Sequence, residues 1–307
     1  VRRVATIDLG TNTVRLLVAE VGPGSWQGVA EEQRITRLGE SQGRDGRLAE
    51  LPMIRTVQAV GEMVVRARAL GAVRVRIVGT SAVREATNRL ELLHRVREAT
   101  GLAVEVVSGD EEARLTLLGV RGGLPGLAEP FLLLDVGGGS TELVLARPGR
   151  EPLALSLRLG VVGLAERHVG PGPMDAAELA GLGAEVAAAL DQAPPGAFPR
   201  EGTPLIGTAG TITTLAALDL GLAAYDPAAV HGHRLRRAAV ERLQARLTGL
   251  SLAERAGIPC LPPGRADVII PGIAILLAVM DRIAAEGCLV SDHGLREGIL
   301  YELLRTG

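Results

Sequence analysis

The 307-residue sequence predicts an α/β fold built from two similar domains in tandem, each a mixed sheet flanked by helices. Three observations carry that prediction. Residues 8–19 (DLGTNTVRLLVA) align without a gap on residues 135–146 (DVGGGSTELVLA), at an offset of 135 − 8 = 127. Asp8 then matches Asp135, Gly10 matches Gly137, Leu16 matches Leu143 and Ala19 matches Ala146. Downstream, Ile77-Val78-Gly79-Thr80 recurs as Leu205-Ile206-Gly207-Thr208, at an offset of 207 − 79 = 128. Two landmarks at nearly one spacing point to a repeated unit rather than to one chance turn. Finally, each half opens with three strand-like runs and continues with helices and further strand, a pattern that makes a mixed sheet covered by helices.

Short apolar runs bounded by Gly, Ser, Thr and Asn read as strands, and longer runs between turn signals read as helices. The first half has strands over 4–9, 14–21 and 29–37, a helix over 52–70, a strand over 73–79, a helix over 86–100, a strand over 103–107 and a helix over 110–120. The second has strands over 131–136, 141–147 and 153–158 and a helix over 175–190. A strand over 203–207 follows, with helices over 210–220, 236–248, 266–286 and 293–305. Gly122, Gly123, Pro125, Gly126 and Pro130 cluster between the halves, which sets the domains at 1–122 and 123–307. Pro194, Pro195, Gly196 and Pro199 mark a loop within the second half.

Composition narrows the chemistry. At 47% hydrophobic and 22% charged, the chain is of the soluble globular kind. Its formal net charge of −2 supplies no global field for nucleic acid or an anionic membrane, so neither is expected as a partner. Every basic residue other than His is Arg. That excludes a Walker A lysine, a protein-kinase strand lysine and a Schiff-base lysine. Cys260 and Cys288 show neither metal-ligand spacing nor a disulfide framework, which fits a reducing cytoplasm. Val1-Arg2-Arg3 leads straight into a strand pattern, so no signal peptide is expected. The longest apolar stretch, Val268 to Met280, holds Pro271 and lies between Asp267 and Asp281. It falls short of the roughly 20 residues that span a bilayer.

The two glycine turns carry the strongest chemical signal. Each follows an apolar strand ending in an acid, Asp8 or Asp135. Gly10, Gly137, Gly138 and Gly139 let backbone approach a ligand, and successive amides form an anion-binding concavity. Thr11, Asn12, Thr13, Ser140 and Thr141 add side-chain donors suited to phosphate oxygens. An ionised Asp beside phosphate repels it unless a divalent cation intervenes, so Asp135, Glu142 and Asp8 read as Mg²⁺-associated groups. Thr208-Ala209-Gly210-Thr211 offers a third such loop opening a helix; Gly210 and Thr211 read as phosphate contacts, as an ordinary helix cap, or as both.

Two further residues have two readings each. Ser108 and Glu111 form a capping box, S-x-x-E, which explains Glu111 but not Glu112. Local sequence favours Glu112 as dipole complementation on a solvated first turn; the other reading is a base that orients water. Arg84 follows the strand-end motif Gly79–Val83, where a phosphoryl clamp and a surface Arg paired with Glu85 are equally served. His231-Gly232-His233 lacks an evident third ligand and reads as a loop or cap element; His94 and His293 call for no chemistry.

Six ordered segments, Asp8–Thr13, Gly79–Arg84, Ser108–Leu115, Asp135–Glu142, Gly207–Thr211 and Ser291–Gly298, resemble the exopolyphosphatase / guanosine pentaphosphate phosphohydrolase family over nearly the whole chain. That family belongs to the actin, sugar-kinase and chaperone-ATPase superfamily, whose two ribonuclease H-like domains close around phosphates. The resemblance implies that the halves are this actin-like pair around an interdomain cleft, with a final helix of about 293–307 packed back on the first domain. It implies that Glu112 is the general base, that Asp135 and Glu142 serve Mg²⁺ and catalysis, and that Arg84 binds phosphate. The implied activity is Mg²⁺-dependent release of orthophosphate from the end of inorganic polyphosphate. The alternative substrate is guanosine pentaphosphate, cut at its 5′-γ-phosphate. A small-molecule kinase and a non-hydrolytic polyphosphate or nucleotide sensor are the rival classes, and a homodimer is compatible with all of them. Longer members carry extra C-terminal helical domains, and this chain resembles the short two-domain form.

Overall fold

The computed structural model describes residues 2–22, 25–42 and 45–305; the chain ends named above, Val1 and Gly307, lie outside the described residues. The chain divides into two compact units, one of Val1–Gly122 with Gly294–Gly307 and one of Gly123–His293.

In the first unit, β1 (Arg2–Leu9), β2 (Thr13–Gly22) and β3 (Ser25–Ile35) form an antiparallel meander. Then come α1 (Glu50–Ala69), β4 (Ala72–Gly79), α2 (Ser81–Glu85), α3 (Arg89–Thr100), β5 (Val104–Val106) and α4 (Gly109–Gly123). The sheet order is β3-β2-β1-β4-β5, with β4 and β5 parallel to β1, a mixed sheet as the sequence predicts. Strand alternation sends Ala5, Ile7, Leu9, Leu16 and Ile77 to one face, where they pack with Met53, Val60, Met63 and Val64 of α1. Val4, Leu17, Ala19 and Val21 line the opposite face.

The second unit repeats the plan. β6 (Phe131–Val136), β7 (Thr141–Arg147) and β8 (Arg150–Leu157) make the meander, followed by α5 (Val161–His168), α6 (Ala176–Leu190), β9 (Leu205–Thr208) and α7 (Ala209–Asp219). Next come α8 (Pro227–Val230), β10 (Arg234–Arg236), α9 (Arg237–Thr248), α10 (Leu252–Ala256), α11 (Ile269–Arg282) and β11 (Gly287–Val290). The order β10-β11-β9-β6-β7-β8 matches the first sheet apart from β10, an antiparallel strand added at the β11 edge.

The structure corrects one element outright. The helix expected over 266–286 stops at Arg282, and residues 287–290 form β11. The stop is a Schellman turn. Ala284 takes a left-handed φ of 49°, the Ala285 amide donates to the Met280 carbonyl at 2.9 Å and that of Ala284 to Asp281 at 3.4 Å. Glycine usually fills that position, and an alanine there gives no sequence signal. Pro271 is tolerated because it lies in the first turn, where an amide has no helical partner.

The last helix, α12 (Leu295–Arg305), belongs to the first unit. Leu300 joins Val4, Leu17, Ala19 and Val21, while Leu295, Ile299 and Leu303 pack with Val78, Val107 and Leu115. α12 crosses α4 backbone to backbone, because both contact points are glycines. A Cβ on Gly298 would fall on the Leu115 carbonyl, and one on Gly119 on that of Gly294. Polar ties surround the crossing. Glu302 accepts from Arg76 at 2.5 Å and also from Arg114, and the Arg296 guanidinium pairs with Glu31 at 3.2 Å and Glu297 at 3.1 Å. Among the described residues no helix is long and apolar enough to cross a membrane.

Candidate functional site

In the first unit the hairpin turn between β1 and β2 is closed by the Gly10 amide donating to the Thr13 carbonyl at 3.1 Å. A Cβ on Gly10 would sit 2.9 Å from that carbonyl oxygen. The Thr11 carbonyl accepts from Gly39 at 2.9 Å, and the Asn12 carbonyl from Thr36 at 3.1 Å and Arg37 at 3.0 Å. A trans peptide points its C=O and the following N–H in opposite directions. The Asn12 and Thr13 amides are therefore turned away from the 36–39 segment, to the far side of the turn. Asp8 stands at the end of β1 opposite Arg15 of β2.

The second unit builds the same turn. Gly137 donates to the Ser140 carbonyl at 3.0 Å, and a Cβ on Gly137 would sit 2.8 Å from that oxygen. Here the counter-surface is the start of α5, an element with no sequence prediction. The Val161 amide donates to Gly137 O at 3.2 Å and the Val162 amide to Gly138 O at 2.9 Å. Two amides that a helix start leaves without partners thus turn the glycine carbonyls inward, and the Gly138 and Gly139 amides point outward. Gly160 permits this approach, since a Cβ there would meet the Gly139 backbone.

Asp135 and Glu142 are directly opposed on β6 and β7, as Glu142 and Ser156 are on β7 and β8. Opposed residues of antiparallel strands share a face with Cβ atoms about 5 Å apart. Glu142 is 1% exposed, and its Oε1 accepts from Ser140 Oγ at 2.7 Å and Ser156 Oγ at 2.8 Å. Thr141 Oγ1 donates to the Leu159 carbonyl at 2.5 Å. The Thr211 side chain packs where a Cβ on Gly272 would otherwise stand, and the Gly210 carbonyl accepts from buried Arg265 at 3.2 Å.

Glu112 and Arg84 meet in the first unit. Glu112 lies in the first turn of α4, its amide donating to the Ser108 carbonyl at 2.9 Å. It is 8% exposed, so the solvated first-turn reading fails. Its Oε2 accepts from Arg84 Nη1 at 2.8 Å, and the same Nη1 reaches the Val107 carbonyl at 3.2 Å. Arg84 also pairs with Glu85 at 3.4 Å. The expected capping box is half realised. Ser108 Oγ accepts from the Glu111 amide at 3.1 Å, but both Glu111 carboxylate oxygens accept from Arg114 at 2.7 Å.

Two of the histidines, His231 and His233, have defined partners. His231 Nδ1 accepts from the Asp292 amide at 3.1 Å, which puts the proton on Nε2, donated to the Gly123 carbonyl at 2.9 Å. His233 Nε2 meets Asp219 at 2.9 Å. Burial pushes the Cys288 thiol up to about 12, so it stays protonated at neutral pH. The neighbours of the glycine turn that sequence reading missed are Ser156 and the α5 amides. Strand register brings Ser156 to Glu142, and the close approach at Gly160 brings the α5 amides to the turn; no local pattern encodes either.

A model of the Ppx/GppA phosphatase family matches residues 17–306. Exopolyphosphatase 2 of Mycobacterium tuberculosis is 36% identical over 315 residues, covering 98% of this chain and 98% of that relative. The crystal structure of the Aquifex aeolicus member of the Ppx/GppA family is 33% identical with a TM-score of 0.82, covering 100% of this chain and 99% of that one. An exopolyphosphatase structure from Cytophaga hutchinsonii is 27% identical with a TM-score of 0.90, covering 99% and 98%.

Proposed function

Since the chain belongs to the Ppx/GppA phosphatase family, we propose that it hydrolyses the terminal phosphoanhydride bond of inorganic polyphosphate and releases orthophosphate. The observation that carries this reading is the buried Glu112 carboxylate held by Arg84 at 2.8 Å. A carboxylate kept out of bulk water and fixed through one oxygen is equipped to align a water and accept its proton. The outward amides of Asn12, Thr13, Gly138 and Gly139 would bind phosphate oxygens, with Gly10, Thr11, Gly137, Thr141, Gly210 and Thr211 shaping the loops. Arg84 would bind phosphate from its place beside Glu112. Phosphoryl transfer is governed by positioning and charge stabilisation, and these groups supply both.

Among the described residues no three His, Cys, Asp or Glu side chains gather to hold a metal by themselves. The opposed pair Asp135 and Glu142 suits Mg²⁺, which takes one or two carboxylates and completes its shell with phosphate and water. In this reading Asp135 and Glu142 would hold the ion, which when bound neutralises phosphate charge. The two free cysteines fit a reducing cytoplasm as the place of action.

Phosphate release from tripolyphosphate, long polyphosphate and guanosine pentaphosphate, measured side by side without any acceptor, tests the reading. Release from polyphosphate supports it, release from the nucleotide alone moves the activity to the 5′-γ-phosphate, and none at all returns a sensor or an acceptor-dependent kinase. Glu112→Gln should abolish turnover while polyphosphate binding persists, and near-normal turnover in that variant would remove Glu112 as the base.

A further inference from the structure

Glu142 is almost wholly buried and receives two hydroxyl hydrogens on one oxygen, Oε1, from Ser140 at 2.7 Å and Ser156 at 2.8 Å. The donors are independent in the chain. Ser140 closes the hairpin turn just ahead of β7, whereas Ser156 comes from β8, where register sets it opposite Glu142. Each serine is the donor to Glu142 Oε1, and a hydroxyl has one hydrogen to give. Both serines have therefore committed that hydrogen to Glu142, and Ser140 Oγ has none left for a phosphate oxygen. Both distances are those of well-formed O–H···O hydrogen bonds.

We infer that Ser156 and Ser140 are positioning residues, a hydroxyl clamp that fixes the rotamer of Glu142, and that Ser140 serves this carboxylate rather than the phosphate chain. The inference rests on the reading of Glu142 as part of the phosphate-hydrolysing site. A glutamate side chain has three torsions to lose. Tethering Oε1 from two sides removes that freedom and fixes where the carboxylate is presented. A misplacement of about 1 Å in such a group can cost on the order of a hundredfold in rate.

Steady-state kinetics on tripolyphosphate with Ser156→Ala, Ser156→Thr, Ser140→Ala and Glu142→Gln, each with its melting curve, test the clamp. Ser156→Ala is expected to lower kcat about tenfold, the size of one hydrogen bond, with KM unchanged, while Ser156→Thr restores the hydroxyl and most of the rate. Ser140→Ala is expected to lower kcat without raising KM, the mark of an interaction that matters in the transition state rather than in substrate binding. Glu142→Gln reads the underlying assignment separately. If it retains turnover, the site reading fails and the clamp with it. If Glu142→Gln is inactive but Ser156→Ala keeps wild-type kcat, or loses activity only together with its fold and Thr does not restore it, the clamp alone is overturned. A rise in KM at constant kcat for Ser140→Ala would return that serine to the phosphate and overturn its assignment here.

Discussion

Gly298→Ala puts the α4–α12 crossing under direct test. The added Cβ would lie 2.6 Å from the Leu115 carbonyl carbon, against the 3.4 Å at which ordinary contact begins, so α12 must retreat by at least 3.4 − 2.6 = 0.8 Å. The obstacle is backbone, with no flexible side chain to swing aside. Retreat loosens Leu295, Ile299, Leu300 and Leu303, all buried, from the first unit's sheet and α4. Overpacking of this kind costs about 1–3 kcal/mol, and with partial loss of burial for those side chains the sum is about 3 kcal/mol. For a unit of 122 + 14 = 136 residues that corresponds to a fall in Tm of roughly 10 °C. Gly61→Ala is the matched control. It lies inside α1 with nothing within 4 Å of its Cβ, so the better helix former should stabilise by up to about 1 kcal/mol. Calorimetry or circular dichroism on both variants reads the difference. An unchanged or higher Tm for Gly298→Ala would refute the close crossing.

Other perturbations have equally definite outcomes. Arg84→Met leaves the Glu112 carboxylate without its guanidinium and should destabilise the first unit by about 3 kcal/mol, much of it recovered in the double variant Arg84→Met/Glu112→Gln; chemical denaturation measures both. Burial acts to raise the Glu302 pKa, but hydrogen bonds from Arg76 and Arg114 outweigh it and hold the carboxyl below its usual 4.5. A depressed folded pKa contributes stability above 4.5 that is lost as pH falls through the folded value, so the Tm gap between wild type and Glu302→Gln should be widest at neutral pH and close in acid. A thiol reagent at neutral pH should label partly exposed Cys260 quickly and buried Cys288 only on unfolding, as mass spectrometry of the native protein will show.

What the sequence made legible was mostly local. The turns at Gly10–Thr13 and Gly137–Ser140 announce themselves because a tight turn after an apolar strand needs glycine, and both are built alike. The helix start at Asp175, with Glu178 completing the capping box, lies where the pattern puts it. Partners distant in sequence were not legible. Glu112 reads locally as a solvated charge, yet it is buried and paired with Arg84, 28 residues away. Ser156 looks like any strand serine until register sets it against Glu142. The end of α11 passes unnoticed because alanine does glycine's work at position 284.

The membership of α12 in the first unit has a consequence for biosynthesis. Residues 123–293 leave the ribosome before Leu295, Ile299 and Leu300 do. The nascent first unit therefore waits, with Val4, Leu17, Ala19 and Val21 still uncovered, until its closing helix emerges behind an entire second unit. Completion of the half that carries Glu112 is in this way deferred until residues 295–305 have been made.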